Sequence, residues 1–174
     1  MQEKIGSVFS VLTDNPPVAG CTVSKEIHAA PPVIYYSLAE NTDISAEIYP
    51  YRKFIIMCGG TAQVYSPDKT AAVTAGSGII TPTDIPVGVK TETGAVYMEI
   101  LLRSNSIMNK TVKIGDPFKL SSLIPYAKGK IVNMDVTHND KMKFALMAFD
   151  AGTGLSEHSA PGEALIFALD GEGI

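Results

Sequence analysis

Histidine and cysteine are scarce in this chain, with three and two among 174 residues. A site built from several imidazoles or thiolates is therefore hard to assemble. Cys21 and Cys58 form no CxxC pair and have no nearby His in sequence. That spacing excludes a zinc ribbon and points to two reduced, structural thiols. No apolar run approaches the roughly 18 residues of a membrane span. The opening stretch MQEKIGSVFSVLTDNPP carries Glu3 and Asp14 and no long apolar core, so no secretory leader is expected. Basic residues are outnumbered, 14 Lys and Arg against 18 Asp and Glu, for a net charge of -4. That balance argues against phosphate backbones and anionic lipid, so neither a nucleic-acid nor a membrane partner is expected, and the expected location is cytoplasmic. GxSxG and HExxH do not occur. GGTAQ, GSG and GTG are turns rather than phosphate loops, because none opens a helix in a βαβ unit.

Long helical periodicity is missing too. In its place, Gly and Pro punctuate the chain every ten or so residues, with short runs rich in Val, Ile, Tyr and Thr between them. These runs are VIYYSLA (33–39), ISAEIYP (44–50), RKFIIMC (52–58), TAQVYS (61–66), AAVTA (71–75), SGIITP (77–82), VGVKTE (87–92) and AVYMEILL (95–102). The spacing predicts an all-β sandwich or barrel. GG at 59–60 and SPDKT at 66–70 read as hairpin turns. DPFKLSSLI (116–124) is the best helix candidate, with Asp116 as N-cap, Pro117 at the first helical position and Pro125 after its end. NPPVAG (15–20) and AAPPV (29–33) read as parts of an extended N-terminal arm.

A weak internal repeat shapes the rest. Shifted by 111 residues, VIYYSLAENTDISAEIYPYRKFIIMCGG (33–60) lies without a gap over FALMAFDAGTGLSEHSAPGEALIFALDG (144–171). Ile44 meets Leu155, Ser45 meets Ser156, Pro50 meets Pro161, Phe54 meets Leu165, Ile55 meets Ile166 and Gly60 meets Gly171. The reading is one β-domain over residues 1–110, including the arm, a linker with a short helix over 111–129, and the first half of a second β-domain over 130–174. A half-domain leaves unpaired strand edges and one bare apolar face. Its strands are completed by further chain, by the first domain, or by another protomer.

These residues resemble the cupin superfamily in a two-copy, bicupin-like arrangement with a truncated second copy. Gly152 followed after five residues by His158 matches the start of the first cupin motif, and ALIFALDGEG resembles the strand and Gly-containing turn that end it. GSGIITPTDIPV begins the second motif, with Gly76 and Pro82 at the right spacing. KIVNMDVTHNDKMKFALMAFDAGTGLSEHSAPGEALIFALDGEG resembles small single-domain cupins. The resemblance implies an RmlC-like jelly roll, the double-stranded β-helix, with a site inside the barrel mouth that often holds a divalent metal. It also implies positions for ligands, and there the chain departs from the pattern. The second copy has Ala160 and Ala164 where a His and a Glu are expected. The first copy carries Glu47, Tyr49 and Lys53 at these positions, and its second motif has Asp84, Val87 and Thr91 for Gly, His and Asn.

The candidate pocket residues are His158, Glu163, Glu47, Tyr49 and Lys53. His158 is either a pocket residue, which the resemblance places facing the barrel interior, or a loop residue capped by Ser156 or Ser159. Glu163 is a carboxylate one residue out of register, or a solvated strand residue. Lys53 and Glu47 form a buried ion pair in place of a metal, or are solvated at an open mouth. Tyr35, Tyr36 and Tyr49 are expected to pack on the sheet with hydroxyls at its rim. His28 and His138 have no partner in sequence and read as surface residues. Met134, Met142 and Met147 read as core filling. The expectation is a metal-free, non-catalytic module that binds a small polar ligand of carboxylate or sugar-like kind, or serves oligomerisation as a homodimer. The alternative is a metal-dependent enzyme of dioxygenase, isomerase or decarboxylase type. It would use His158 with residues beyond position 174.

Overall fold

A computed structural model describes residues 3–159 and 162–173. Twelve strands carry the fold, with one single-turn helix, α1 (Val11–Asp14), whose N-cap Ser10 accepts from the Thr13 amide. The strands are β1 (Thr22–Ala29), β2 (Pro32–Leu38), β3 (Thr42–Ile48), β4 (Arg52–Ser66), β5 (Lys69–Thr74), β6 (Ser77–Ile80), β7 (Pro86–Thr91) and β8 (Ala95–Leu102). Short strands β9 (Ile107–Met108) and β10 (Phe118–Lys119) follow, then β11 (Ile131–His138) and β12 (Lys143–Phe149). Among the described residues no helix is long and apolar enough to cross a membrane.

Nearly every Val/Ile/Tyr-rich run forms a strand, and the all-β expectation holds. The antiparallel order β1-β2-β8-β4-β6-β10 makes one sheet, and β3, β7 and β5 join through the far half of β4 to make the other. One strand therefore serves both walls of a jelly roll. The Gly59–Gly60 pair lies inside that strand and is not the hairpin turn that its composition suggests. The ladder with β8 shifts register between Met57 and Gly59, a β-bulge that bends β4 from one wall to the other. Gly60 has φ +73°, and a Cβ there would stand 2.2 Å from the Gly94 carbonyl oxygen. The turn after it is correct as expected: Ser66 pairs with Lys69 across Pro67 and Asp68.

Two apolar layers result. Leu38, Ile55, Met57, Val64, Val73, Ile79, Val89 and Tyr97 fill the space between the walls. On the rear of the larger wall, Val33, Tyr35, Phe54, Ile56, Ile80, Met98 and Ile100 form a second core with Val112, Leu120, Val136 and Leu146. Phe54 sits at its centre, 4.9 Å from the Phe144 ring and 5.8 Å from that of Phe118. A wall covered on both faces explains why AVYMEILL is apolar almost without a break.

The rear cover comes from the C-terminal third. β12, β11 and β9 form a separate three-stranded sheet. Its hairpin matches β1–β2 closely. In β1 the register shifts between Glu26 and His28 around the buried Ile27, and in β11 it shifts between Asp135 and Thr137 around the buried Val136. Val33 pairs with His28 as Phe144 pairs with Thr137, and Ile34 with Glu26 as Ala145 with Asp135. The 111-residue shift thus relates β2 to β12. Met147 and Phe149 stand where Tyr36 and Leu38 stand in the first copy. Those two face the barrel interior, whereas Met147 and Phe149 are exposed.

Several expectations are corrected. AAPPV is no arm: Ala30 and Pro31 close the β1–β2 hairpin, because β1 supplies a pairing partner that its polar sequence hides. The helix over 116–124 reduces to a 3₁₀ turn at Leu120–Ser122. Phe118 and Lys119 pair with β6 instead, and Asp116 pairs with Lys69 rather than capping a helix. Residues 164–170 form no strand; Leu165 and Phe167 pack on the rear core, with Phe167 edge-on to Phe9 at 6.0 Å. Met134 and Met142 fill the core as expected, but Met147 does not. Ala160 and Pro161 lie outside the described residues.

Gly60→Ala is expected to lower stability by about 2 kcal/mol or more, since a positive φ and a backbone clash combine. Gly171, at φ +76° with open space around it, should cost only about 1 kcal/mol on the same change. Urea denaturation of the two variants checks the contrast.

Candidate functional site

The interior of the first barrel opens in a small cleft. Its lining includes Tyr36, Glu47, Tyr49, Lys53, Thr81, Val87, Tyr97 and Glu99. Three of the five sequence candidates, Glu47, Tyr49 and Lys53, therefore converge on one site. β3 and the turn after it present Glu47 and Tyr49, and β4 presents Lys53 two residues later than Tyr51. Thr81 holds the start of β4 from behind. Its hydroxyl accepts from the Lys53 amide at 2.9 Å, and its own amide donates to the Lys53 carbonyl at 2.9 Å. Asp84, at the second motif's glycine position, has φ +61° and donates its amide to the Tyr49 carbonyl at 2.9 Å. The backbone at Asp84 has the left-handed geometry that glycine favours.

Lys53 organises the polar chemistry. Its Nζ lies 3.4 Å from a Glu99 carboxylate oxygen, with side-chain exposures of 17% and 5%. The same ammonium sits 4.0 Å from the centroid of the Tyr49 ring. The buried ion pair at this place is thus Lys53–Glu99, not Lys53–Glu47. Glu47 is exposed at the mouth, where the Tyr49 hydroxyl donates to it. Tyr36 and Tyr97 stack across the wall with centroids 5.0 Å apart. The Tyr97 hydroxyl is buried with no hydrogen-bond partner within the protein. Tyr35 is fully buried on the opposite face with its hydroxyl also unpartnered, so it does not reach a rim.

Burial pushes the Glu99 carboxyl above its ordinary value, against the pull of the Lys53 ammonium, with a small further push from Glu47. Burial also raises the Tyr36 phenol to about 12 and lifts those of Tyr51 and Tyr97. The Tyr49 phenol is raised chiefly by its hydrogen bond to Glu47. All four tyrosines are protonated donors at neutral pH. The Cys58 thiol is raised by burial to about 11, consistent with an inert structural role.

The remaining two candidates lie elsewhere. His158 is exposed on a loop, its Nδ1 2.8 Å from the Ser156 carbonyl oxygen, and it does not line the cleft. Glu163 lies in no strand; its carboxylate stands 3.7 Å from Nε2 of His28. His28 is therefore not a lone surface residue, and its Nδ1 contacts the Pro31 carbonyl oxygen at 2.7 Å. His138 approaches Asp135 at 3.9 Å. Glu99 and Tyr97 were missing from the sequence candidates. The signal for them was present in AVYMEILL: one charge in a buried run, on the same face as Tyr97 by alternation.

The residues do not fit the divalent metal that the resemblance implies. A metal site needs converging lone pairs. Here Lys53 brings an ammonium with donors only, Val87 a hydrocarbon, and Tyr49 a ring turned to the ammonium. Among the described residues no three His, Cys, Asp or Glu side chains gather for an ion.

With this geometry in hand, comparison with solved structures places the fold. The chain is similar to a cupin 2 conserved barrel domain protein from Leptotrichia buccalis, at a TM-score of 0.70 and 21% identity over 82% of the chain. It spans 64% of that protein's length. It is also similar to a conserved protein of unknown function from Streptococcus pyogenes, at TM-score 0.55 and 14% identity over 59% of the chain and 92% of that protein. A cupin superfamily protein from Desulfitobacterium hafniense matches at TM-score 0.55 and 12% identity, over 59% of the chain and 95% of its own length. Searches of protein-family models and of curated proteins gave no match. The fold is the cupin jelly roll.

Glu99 also predicts a pH dependence. Its folded pKa lies above the unfolded one, so its contribution to stability is whole below the unfolded carboxyl range and is lost as pH rises through the folded value. Glu99→Gln removes that loss. The stability of the variant relative to the native protein should therefore rise as pH climbs from the ordinary carboxyl range through the raised folded value, as read by denaturant unfolding at each pH. A flat difference contradicts the assignment.

Proposed function

We propose that this chain is a cupin-fold module that binds a small polar molecule, of carboxylate or sugar-like kind, in the first barrel without a metal and without catalysing a reaction. The observation that carries the reading is the half-hidden Lys53 ammonium, set between the Glu99 carboxylate and the Tyr49 ring in an open cleft. The Lys53–Glu99 ion pair stands inside the barrel cleft. It is flanked by aromatic faces and by a phenol that lacks a partner, a combination suited to a small molecule with oxygen acceptors.

We further read residues 130–174 as the opening of a second barrel, in a bicupin-like arrangement that assembles as a homodimer. The matched bulges of β1 and β11 support this, as does the exposure of Met147 and Phe149, whose counterparts line the first barrel. The Leptotrichia likeness also extends over 82% of the chain, against 59% for the two shorter proteins.

Two measurements test the reading. Elemental analysis of the purified protein should give far less than one metal per chain. A stoichiometric Fe, Mn, Ni or Zn signal that His158→Ala abolishes would instead favour the metal-dependent enzyme. Thermal-shift screening with short carboxylates and monosaccharides should raise the melting temperature for at least one class. Lys53→Gln should remove the shift, and His158→Ala should leave it unchanged.

A further inference from the structure

We propose that the cleft takes a small carboxylate onto Lys53 and the Tyr97 hydroxyl, and that Glu99 takes up a proton from solvent as the carboxylate binds. This rests on the ligand-binding reading above and names both the ligand class and its coupled proton.

The argument starts from charge. Lys53 is one cation facing two carboxylates, buried Glu99 and Glu47 at the mouth. The other groups facing Glu99 are the phenols of Tyr36, Tyr49, Tyr51 and Tyr97, all neutral. A further anion would leave three negative charges around one ammonium in a poorly solvated cleft, which is costly. A neutral sugar avoids that cost and binds the remaining Lys53 N–H donors beside an intact Lys53–Glu99 pair, so it takes up no proton. One proton on Glu99 resolves the conflict. The ammonium then turns from Glu99 to the ligand carboxylate, and the cleft holds the same net charge before and after binding.

The residues are already disposed for this exchange. The Glu99 side chain is 5% exposed, so its neutral form is the better solvated one once Lys53 leaves it. Burial already pushes its carboxyl upward, and Lys53 is the chief influence holding it down. Ligand capture of Lys53 removes that restraint. The protonated carboxyl becomes a donor that can hydrogen-bond the ligand in turn. Tyr97 lines the same cleft, and its hydroxyl is buried with no acceptor of its own. A ligand carboxylate supplies it with one, and a buried polar group without a partner is otherwise expensive.

Calorimetric titration of the whole chain with acetate, lactate and succinate, with glucose as the neutral probe, tests the proposal. Repeating it in buffers of different ionisation enthalpy counts the protons. The expected result is proton uptake on carboxylate binding, up to one per ligand, and an affinity that falls as pH rises, by at most about tenfold per unit. Glu99→Gln should bind the same carboxylate with no such slope. Tyr97→Phe keeps the ring stacked on Tyr36, so it should fold normally and bind carboxylate several-fold more weakly. Carboxylate binding without proton uptake overturns this proposal but leaves the ligand-binding reading standing. Binding of glucose only has the same consequence. If neither class binds, both fall.

Discussion

The double-sided burial of one sheet governs this molecule. β2, β8, β4 and β6 lie side by side, with apolar side chains packed on both faces. Strand alternation then assigns every residue of these strands to one of two environments. In β8, Val96, Met98 and Ile100 go to the rear core, while Tyr97 and Glu99 turn into the cleft. In β4, Phe54 and Ile56 go rearward, and Lys53 and Ile55 go inward. A one-residue slip in this sheet would put the Lys53 and Glu99 charges into the rear core and Phe54 into the cleft. The register is therefore strongly specified, and the geometry of the polar site follows from it.

The rear core also explains the C-terminal third. The β11–β12 hairpin is too small to be stable by itself. Phe144 and Leu146 bury it against Phe54 and its neighbours, and the single-turn helix and Leu120 complete the cover. The hairpin thus stabilises the barrel's outer face by removing it from water. Its own outer side, with Met147 and Phe149, stays exposed. The segment 164–170 contributes Leu165 and Phe167 to the same rear layer without joining a sheet.

At the cleft, the positive charge comes from a side chain of the protein. The cupin likeness implies a cation held by imidazoles and a carboxylate. Here an ammonium from the chain itself stands between Glu99 and the Tyr49 ring. The supporting backbone is retained, down to the left-handed φ of Asp84 at a glycine position.

Local patterning alone determined much of this protein. Alternating apolar runs bounded by Gly and Pro specified seven strands of the first barrel and their class, two of the eight runs being halves of β4. The motif spacing placed Glu47, Tyr49 and Lys53 on a common face, and the repeat anticipated the β2–β12 correspondence. Local patterning could not distinguish a turn from a bulge at Gly59–Gly60, because both conformations favour glycine. It also hid β1, whose TVSKEIHA pattern is mostly polar and becomes a strand only by pairing with β2. Only the tertiary structure decided the ion pair. Lys53 and Glu99 lie 46 positions apart in sequence, and the β4–β8 ladder brings them together where Ile55 pairs with Glu99. Long-range register chooses which carboxylate a buried lysine meets; strand periodicity fixes the face of each residue but not which strand lies beside it.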